Sequence, residues 1–194
     1  MTGSRRWRSD PRAVARAGTL AGALAGALAL SLVLAACGVM PGASLEARDS
    51  DAAFELVIRI GSSAYPANAP MEVATSLTYL GPEAEIQIAH SGMGAVGVAL
   101  EQLDGPFDPG GSMTADCARS HLGRGVPRVV AYQKSGAWEG DAPNAAQLQA
   151  WMNDPVLRLP PGTYRFTAYG TFSEGDCGGT AHDLEASVEV VVGP

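Results

Sequence analysis

Apolar and polar residues alternate with period two through most of the chain beyond residue 53. Phe54, Leu56, Ile58 and Ile60 point one way, with Glu55 and Arg59 opposite. Successive side chains of a strand face opposite sides of a sheet, so this alternation predicts a half-buried strand. The stretch 65–70 (Tyr-Pro-Ala-Asn-Ala-Pro) breaks the run. Met71, Val73, Leu77 and Tyr79 then alternate with Glu72, Ser76 and Thr78, and Gly81-Pro82 turns the chain. Ile86 and Ile88 follow, with Glu85 and Gln87 opposite. His90 keeps the parity of Ile86 and Ile88, which places it at an inner edge. After the Gly-Met-Gly break at 92–94, Val96, Val98 and Leu100 make another strand, ended by the turn dipeptide Asp104-Gly105. A long Gly-rich connection is expected over 105–127, and a short strand over 129–133. Residues 141–152 predict a helical turn or two. Asp141 is placed to cap it, Pro143 suits its first turn, and Leu148, Trp151 and Met152 share one face. Two well-marked strands finish the chain. Tyr164, Phe166, Ala168 and Phe172 form one inward row, and Leu184, Ala186, Val188, Val190 and Val192 the other.

About seven short strands separated by turn signals predict an all-β fold, an antiparallel β-sandwich with a short helical insertion, rather than βαβ units. The segment 159–166 (Leu-Pro-Pro-Gly-Thr-Tyr-Arg-Phe) resembles the tyrosine corner of immunoglobulin-like domains. That resemblance spans about residues 53–192. It implies an immunoglobulin-like sandwich in which the Tyr164 hydroxyl ties back to backbone upstream. The tryptophan-on-disulfide hallmark of antibody domains is missing. The strand entry from Tyr65 to Val73 (Tyr-Pro-x-x-x-Pro-Met-x-Val), with Pro161-Gly162-Thr163-Tyr164, is also similar to the bacterial BsuPI-like proteinase-inhibitor group. That likeness implies an exported inhibitor of peptidases.

The N-terminus has a different grammar. Arg5, Arg6, Arg8, Arg12 and Arg16 form a basic head, and residues 17–36 carry no charge. This is the order of a secretory signal. The run is long enough to span a bilayer at about 20 residues, so an uncleaved anchor is the alternative. The closing Leu34-Ala35-Ala36-Cys37 resembles a bacterial lipobox. The resemblance implies cleavage before Cys37 and a diacylglycerol on its thiol. Residues 1–36 then read as signal peptide, 37–52 as a lipidated tether, and 53–194 as the sandwich domain. The expected location is the cell membrane, lipid-anchored through Cys37 and facing the extracytoplasmic side. Ser4-Arg5-Arg6 leaves both Sec and twin-arginine export open.

Charge narrows the partners. Five of the 13 basic residues and one of the 20 acidic ones lie within 1–36, so the remaining 158 residues carry a formal charge of −11. Such a surface repels nucleic acid and anionic headgroups. A cationic peptide, a basic protein patch or a divalent metal is electrostatically allowed, and excess acid more often simply keeps an exported domain soluble.

With Cys37 lipidated, Cys117 and Cys177 remain. Outside the cytoplasm an even pair is expected to form a disulfide, here between the 105–127 connection and the last hairpin. The rival reading is metal. Asp116-Cys117-x-x-x-His121 echoes Asp176-Cys177-x-x-x-x-His182, and two Cys with two His would suit tetrahedral zinc. Loop acids (Asp104, Asp108, Asp116, Glu174, Asp176, Asp183) raise calcium, and His90 with Met93 raises copper, though no calcium-loop spacing is present. Nucleophile elbow, zincin and nucleotide-binding motifs are absent from the sequence. The reading is a non-enzymatic, membrane-anchored binding module without a cofactor, recognising an extracytoplasmic protein or peptide. The expected contact regions are 105–127 and 173–182, with Trp138 and Trp151 as aromatic anchors, or Trp151 as core. An extracytoplasmic peptidase inhibitor and an exported metal-binding protein are the alternatives.

Overall fold

A computed structural model describes residues 43–194 apart from Ala137. The expected signal segment 1–36, the expected lipidation site Cys37 and the first part of the expected tether lie outside the described residues. In chain order the elements are β1 (Leu45–Ser50), β2 (Phe54–Ile60), β3 (Ala64–Pro66), β4 (Val73–Tyr79), β5 (Glu85–His90), β6 (Val96–Gln102), β7 (Ala118–Gly123), β8 (Arg128–Ala131), α1 (Ala145–Asn153), β9 (Gly162–Glu174) and β10 (Ala181–Gly193).

One sheet has the order β1-β2-β4-β8 and is antiparallel throughout. The other runs β3-β10-β9-β5-β7, with β6 also paired to β9. The two inner faces supply the core. Phe54, Leu56, Ile58 and Ile60 from the first sheet meet Leu100, Tyr164, Phe166, Ala168 and Val190 from the second, all essentially inaccessible to solvent. Each fully buried side chain of this size contributes about 1.5–3 kcal/mol. On the outer face the strand partners are polar: Thr167 bonds Ser187 between hydroxyls at 2.9 Å, and Arg165 pairs with Glu189 at 2.8 Å. The architecture is therefore an all-β sandwich, with seven of its strands on the alternating stretches expected.

Three strands lie where none is expected. β1 occupies the later half of the supposed tether. Leu45 and Ala47 pack against the core, and Leu45 faces Ile60 in register. The ordered sandwich thus includes residue 45, not only residues from 53. The strand escaped notice because it is an edge strand with one weakly apolar row. β3 pairs parallel to β10, so the sheet is mixed rather than wholly antiparallel. Pro66 is tolerated there because edge strands do not need every N–H. β7 lies inside the connection expected to be irregular and pairs antiparallel with β5. Its sequence, Ala-Arg-Ser-His-Leu-Gly, is too polar to signal a strand.

The helix begins at Ala145. Asn144 is its N-cap residue and makes no capping side-chain bond; its amide donates to the Pro106 carbonyl at 2.8 Å instead. Asp141 therefore does not cap it. Leu148 and Trp151 are buried as expected.

The tyrosine turn is formed. The Tyr164 hydroxyl donates to the Pro160 carbonyl at 3.0 Å while the ring is fully buried. Gly162, at φ 154°, is required in that turn: a β-carbon would collide with the Gln102 amide and crowd Asp104. Asp104 accepts the Thr163 N–H at 2.9 Å, which fixes the strand entry.

The second sheet forks, and the fork positions the site. β9 pairs with β6 from Tyr164 to Gly170, then with β5 from Phe172 to Glu174. β5 and β6 lie end to end along one edge of β9, joined by a turn closed by the Gly94 N–H on the Ser91 carbonyl at 2.9 Å. His90 is the last residue of β5, at that joint.

Candidate functional site

Two cavities meet at His90. The first, about 380 Å³, is lined by the 113–116 segment, by Phe172 and Ser173 of β9, by Cys177, and by Ala181, His182 and Asp183 of β10. The second, about 290 Å³, lies toward the open flank between the sheets and is lined by Leu77, His90, Ala95, Val96, Arg119, Ser120, Arg128 and Val130 among others.

The first cavity is built by a covalent staple and a small hydrogen-bond net. Cys117 and Cys177 form a disulfide across 60 positions, with Cα atoms 6.1 Å apart. The staple holds the 113–117 segment against the β9–β10 hairpin. Sulfur is thereby withdrawn from the zinc reading, and His121 sits exposed on β7 opposite Gln87, away from His182's partners. Thr114 N–H donates to the Ser91 hydroxyl at 3.1 Å, and Gly92 N–H to Asp116 Oδ1 at 2.9 Å. The Thr114 hydroxyl also donates to Asp116. Those donors, the Thr114 hydroxyl first and the Gly92 N–H next, hold the Asp116 carboxyl below the ordinary aspartate range. Asp116 therefore stays ionised at the cavity rim. Gly92 permits this approach, since a β-carbon would run into the Asp116 carboxylate.

His182 forms one wall. Its ring stacks on Phe172 (centroids 5.3 Å apart) and meets Phe54 edge-on at 4.6 Å. Nδ1 donates to Asp51 Oδ2 at 2.6 Å. Nε2 lies 3.3 Å from Glu174 Oε1, close enough to pair electrostatically but not aligned as a hydrogen bond. Asp51 is pulled two ways. Burial raises its pKa, but the His182 bond and the N–H groups of Ala53 and Phe54, each at 2.8 Å, outweigh burial and leave it below the usual value.

His90 has both nitrogens engaged. Nδ1 lies 2.6 Å from the Ser91 carbonyl, which only accepts, so Nδ1 carries the proton. Nε2 is 2.9 Å from the Ser120 hydroxyl. Ile88 faces Ser120 and His90 faces Ala118, so His90 and Ser120 are diagonal neighbours on the same face. Met93, paired with His90 in the copper reading, is about half exposed.

The remaining loop acids are spread over separate local bonds. Asp108 accepts the Gly110 N–H, Asp176 pairs with Arg119 at 2.8 Å, and Asp183 accepts the Thr171 hydroxyl at 3.1 Å. Among the described residues, no group of three or more His, Cys, Asp and Glu side chains is placed to hold a metal ion. The aromatic anchors are also relocated. Trp151 is core, edge-on to Phe107 at 5.6 Å, and Trp138 packs partly buried against the same core.

Sequence reading placed the Cys117–Cys177 cross-link and raised His90 and His182 only as metal ligands, whereas they hydrogen-bond Ser120 and Asp51. It missed Ser120 and Arg128, whose roles depend on a β5–β7 pairing hidden in a polar strand. It also missed Asp51, a residue assigned to the tether. No protein-family model matches the chain, and a search of curated proteins finds no significant match.

Proposed function

We propose that this chain is an exported lipoprotein, anchored by a lipid on Cys37, whose immunoglobulin-like sandwich binds a basic segment of an extracytoplasmic protein or peptide. One observation carries the binding reading: the two loops joined by Cys117–Cys177 converge on a single cavity of about 380 Å³. Its lining mixes apolar surface (Ala89, Met113, Ala115, Phe172, Ala181) with the carboxylates of Asp116 and Asp183. Such a surface favours a side chain with an apolar stem and a cationic head. The formal charge of −11 beyond residue 36 would speed the approach of such a partner. Export is supported by the basic head, the uncharged run and the Leu-Ala-Ala-Cys ending. The Tyr164–Pro160 bond supports the immunoglobulin-like kinship.

The test uses membrane-extracted full-length protein. A photo-crosslinker at Ala115 or Ala181 is expected to capture a partner that one at Glu189, on the outer sheet face, does not. Filling the cavity with Ala181→Trp should abolish that capture with the melting temperature unchanged. Equal capture from Ala115 and Glu189 would remove the cleft from the account. Intact mass tests the anchor independently: a chain retaining Met1 and lacking an acyl group ends the lipoprotein reading.

A further inference from the structure

Ser120 stands in the geometry of a prepared nucleophile. The Ser91 carbonyl fixes the His90 tautomer at 2.6 Å, which turns the Nε2 lone pair toward the Ser120 hydroxyl at 2.9 Å. Nucleophilic serine needs this arrangement: a base within hydrogen-bond reach and a third group orienting the base. Here a backbone carbonyl takes the orienting part. Arg128 Nη1 donates to the same Ser120 oxygen at 2.5 Å, from the edge strand of the opposite sheet. Arg128 has no carboxylate partner among the described residues, whereas Arg119 is paired with Asp176. An uncompensated guanidinium at that oxygen favours its alkoxide form. The serine, the histidine and Arg128 line the 290 Å³ cavity, whose other walls include Leu77, Ala95, Val96 and Val130. A structural hydrogen bond alone would not require a cavity at the hydroxyl or an unpaired cation against it.

We propose that Ser120 is an acyl-accepting nucleophile activated by His90, and that the cavity hydrolyses small carboxylic esters bearing an anionic group. Ser120 Oγ bonds to the ester carbonyl carbon, the carbonyl π pair moves onto its oxygen, and the hydroxyl proton passes to His90 Nε2. Collapse breaks the bond to the alkoxy oxygen, which takes that proton and leaves as an alcohol. Water then attacks the acyl-serine by the same route, its proton passing through Nε2 back to Ser120 Oγ, and the carboxylic acid departs. Arg128, bonded at Ser120 and without a carboxylate partner among the described residues, is the cation for the developing negative charge and for the anionic substituent. This activity goes beyond the binding reading and does not rest on it, since the two cavities lie on either side of His90.

The experiment incubates the full-length chain with a fluorophosphonate at neutral pH and maps the adduct by mass spectrometry. A single phosphonyl group on Ser120 is expected, absent in Ser120→Ala. In His90→Gln the labelling rate should fall by about 10²–10⁴-fold, the range for loss of a general base. Arg128→Gln should remove the preference for a p-nitrophenyl hemisuccinate over p-nitrophenyl acetate. Thermal melts separate loss of chemistry from loss of fold. The wild-type chain decides the matter even if a variant unfolds: no adduct on Ser120, or an adduct elsewhere, overturns the proposal. Undiminished labelling in a folded His90→Gln does the same.

Discussion

The ammonium of Lys134, the chain's single lysine, lies 4.7 Å from the centre of the Trp151 ring and donates to the Trp151 carbonyl at 2.6 Å. The same nitrogen donates to the carbonyls of Asp154 at 2.7 Å and Val156 at 2.8 Å. One cation thus covers the C-terminal end of α1, where carbonyls lack helical partners and the dipole is negative. Lys134→Met keeps most of the stem and removes the charge and three donors. It should cost about 1.5–3 kcal/mol, the range for hydrogen bonds to charged groups, and lower the melting temperature. An unchanged melt would show that water replaces the ammonium without loss.

Two tyrosines give opposite expectations from the same substitution. Tyr164 spends its hydroxyl on the Pro160 carbonyl, so Tyr164→Phe should destabilise by about 0.5–1.5 kcal/mol. The Tyr132 hydroxyl is buried with no hydrogen-bond partner among the described residues, and burial raises its pKa. Tyr132→Phe should be neutral or stabilising, because an unsatisfied buried hydroxyl carries a desolvation cost. Urea titration of both variants checks the contrast. Equal losses would mean that the tyrosine turn adds nothing beyond burial of its ring.

What was legible beforehand divides along physical lines. Tyr164 and the β9–β10 rows announced themselves because period and turn chemistry are local properties. Cys117 and Cys177 were legible by counting, since only two thiols follow Cys37. His90 was placed by parity alone. Ser120 and Arg128 were not legible. Ser120 faces inward only because β7 pairs with β5 in one register, and Arg128 reaches it from the other sheet. Register between strands 30 residues apart is a non-local fact. β1 was hidden for another reason: its inner row is only Leu45, Ala47 and Asp49, and its outer face is held by ion pairs of Arg48 and Arg59 with Glu46.

Acid should weaken the fold through Asp51. Its carboxyl is held below the ordinary value, the pull of burial being outweighed by His182 and the two N–H donors. A depressed folded pKa means that the unfolded chain takes up the proton first. The stabilisation is therefore complete above about pH 4, the unfolded carboxyl's range, and is lost as pH falls through the folded value. Thermal melts from pH 6 to pH 2.5 should show a steeper acid limb for wild type than for Asp51→Asn, with the variant less stable at pH 6. Parallel curves would deny Asp51 any share in acid sensitivity.

The disulfide should govern both stability and the shape of the cavity beside it. Closing 60 positions restricts the unfolded chain, which the chain-entropy model values at about 4 kcal/mol. The double variant Cys117→Ser, Cys177→Ser should lose an amount of that order in urea unfolding. A second consequence is local. The 113–116 segment is held from one end by Cys117 and from the other by the bonds of Thr114 and Asp116 to the Ser91–Gly92 turn. Without the staple only the polar net remains, and each neutral bond of that kind is worth about 1 kcal/mol. Amide exchange over 113–117 should therefore accelerate well beyond the change over β10. If exchange instead rises uniformly with the global loss, the cross-link acts only on the unfolded state, and the cavity keeps its shape without it.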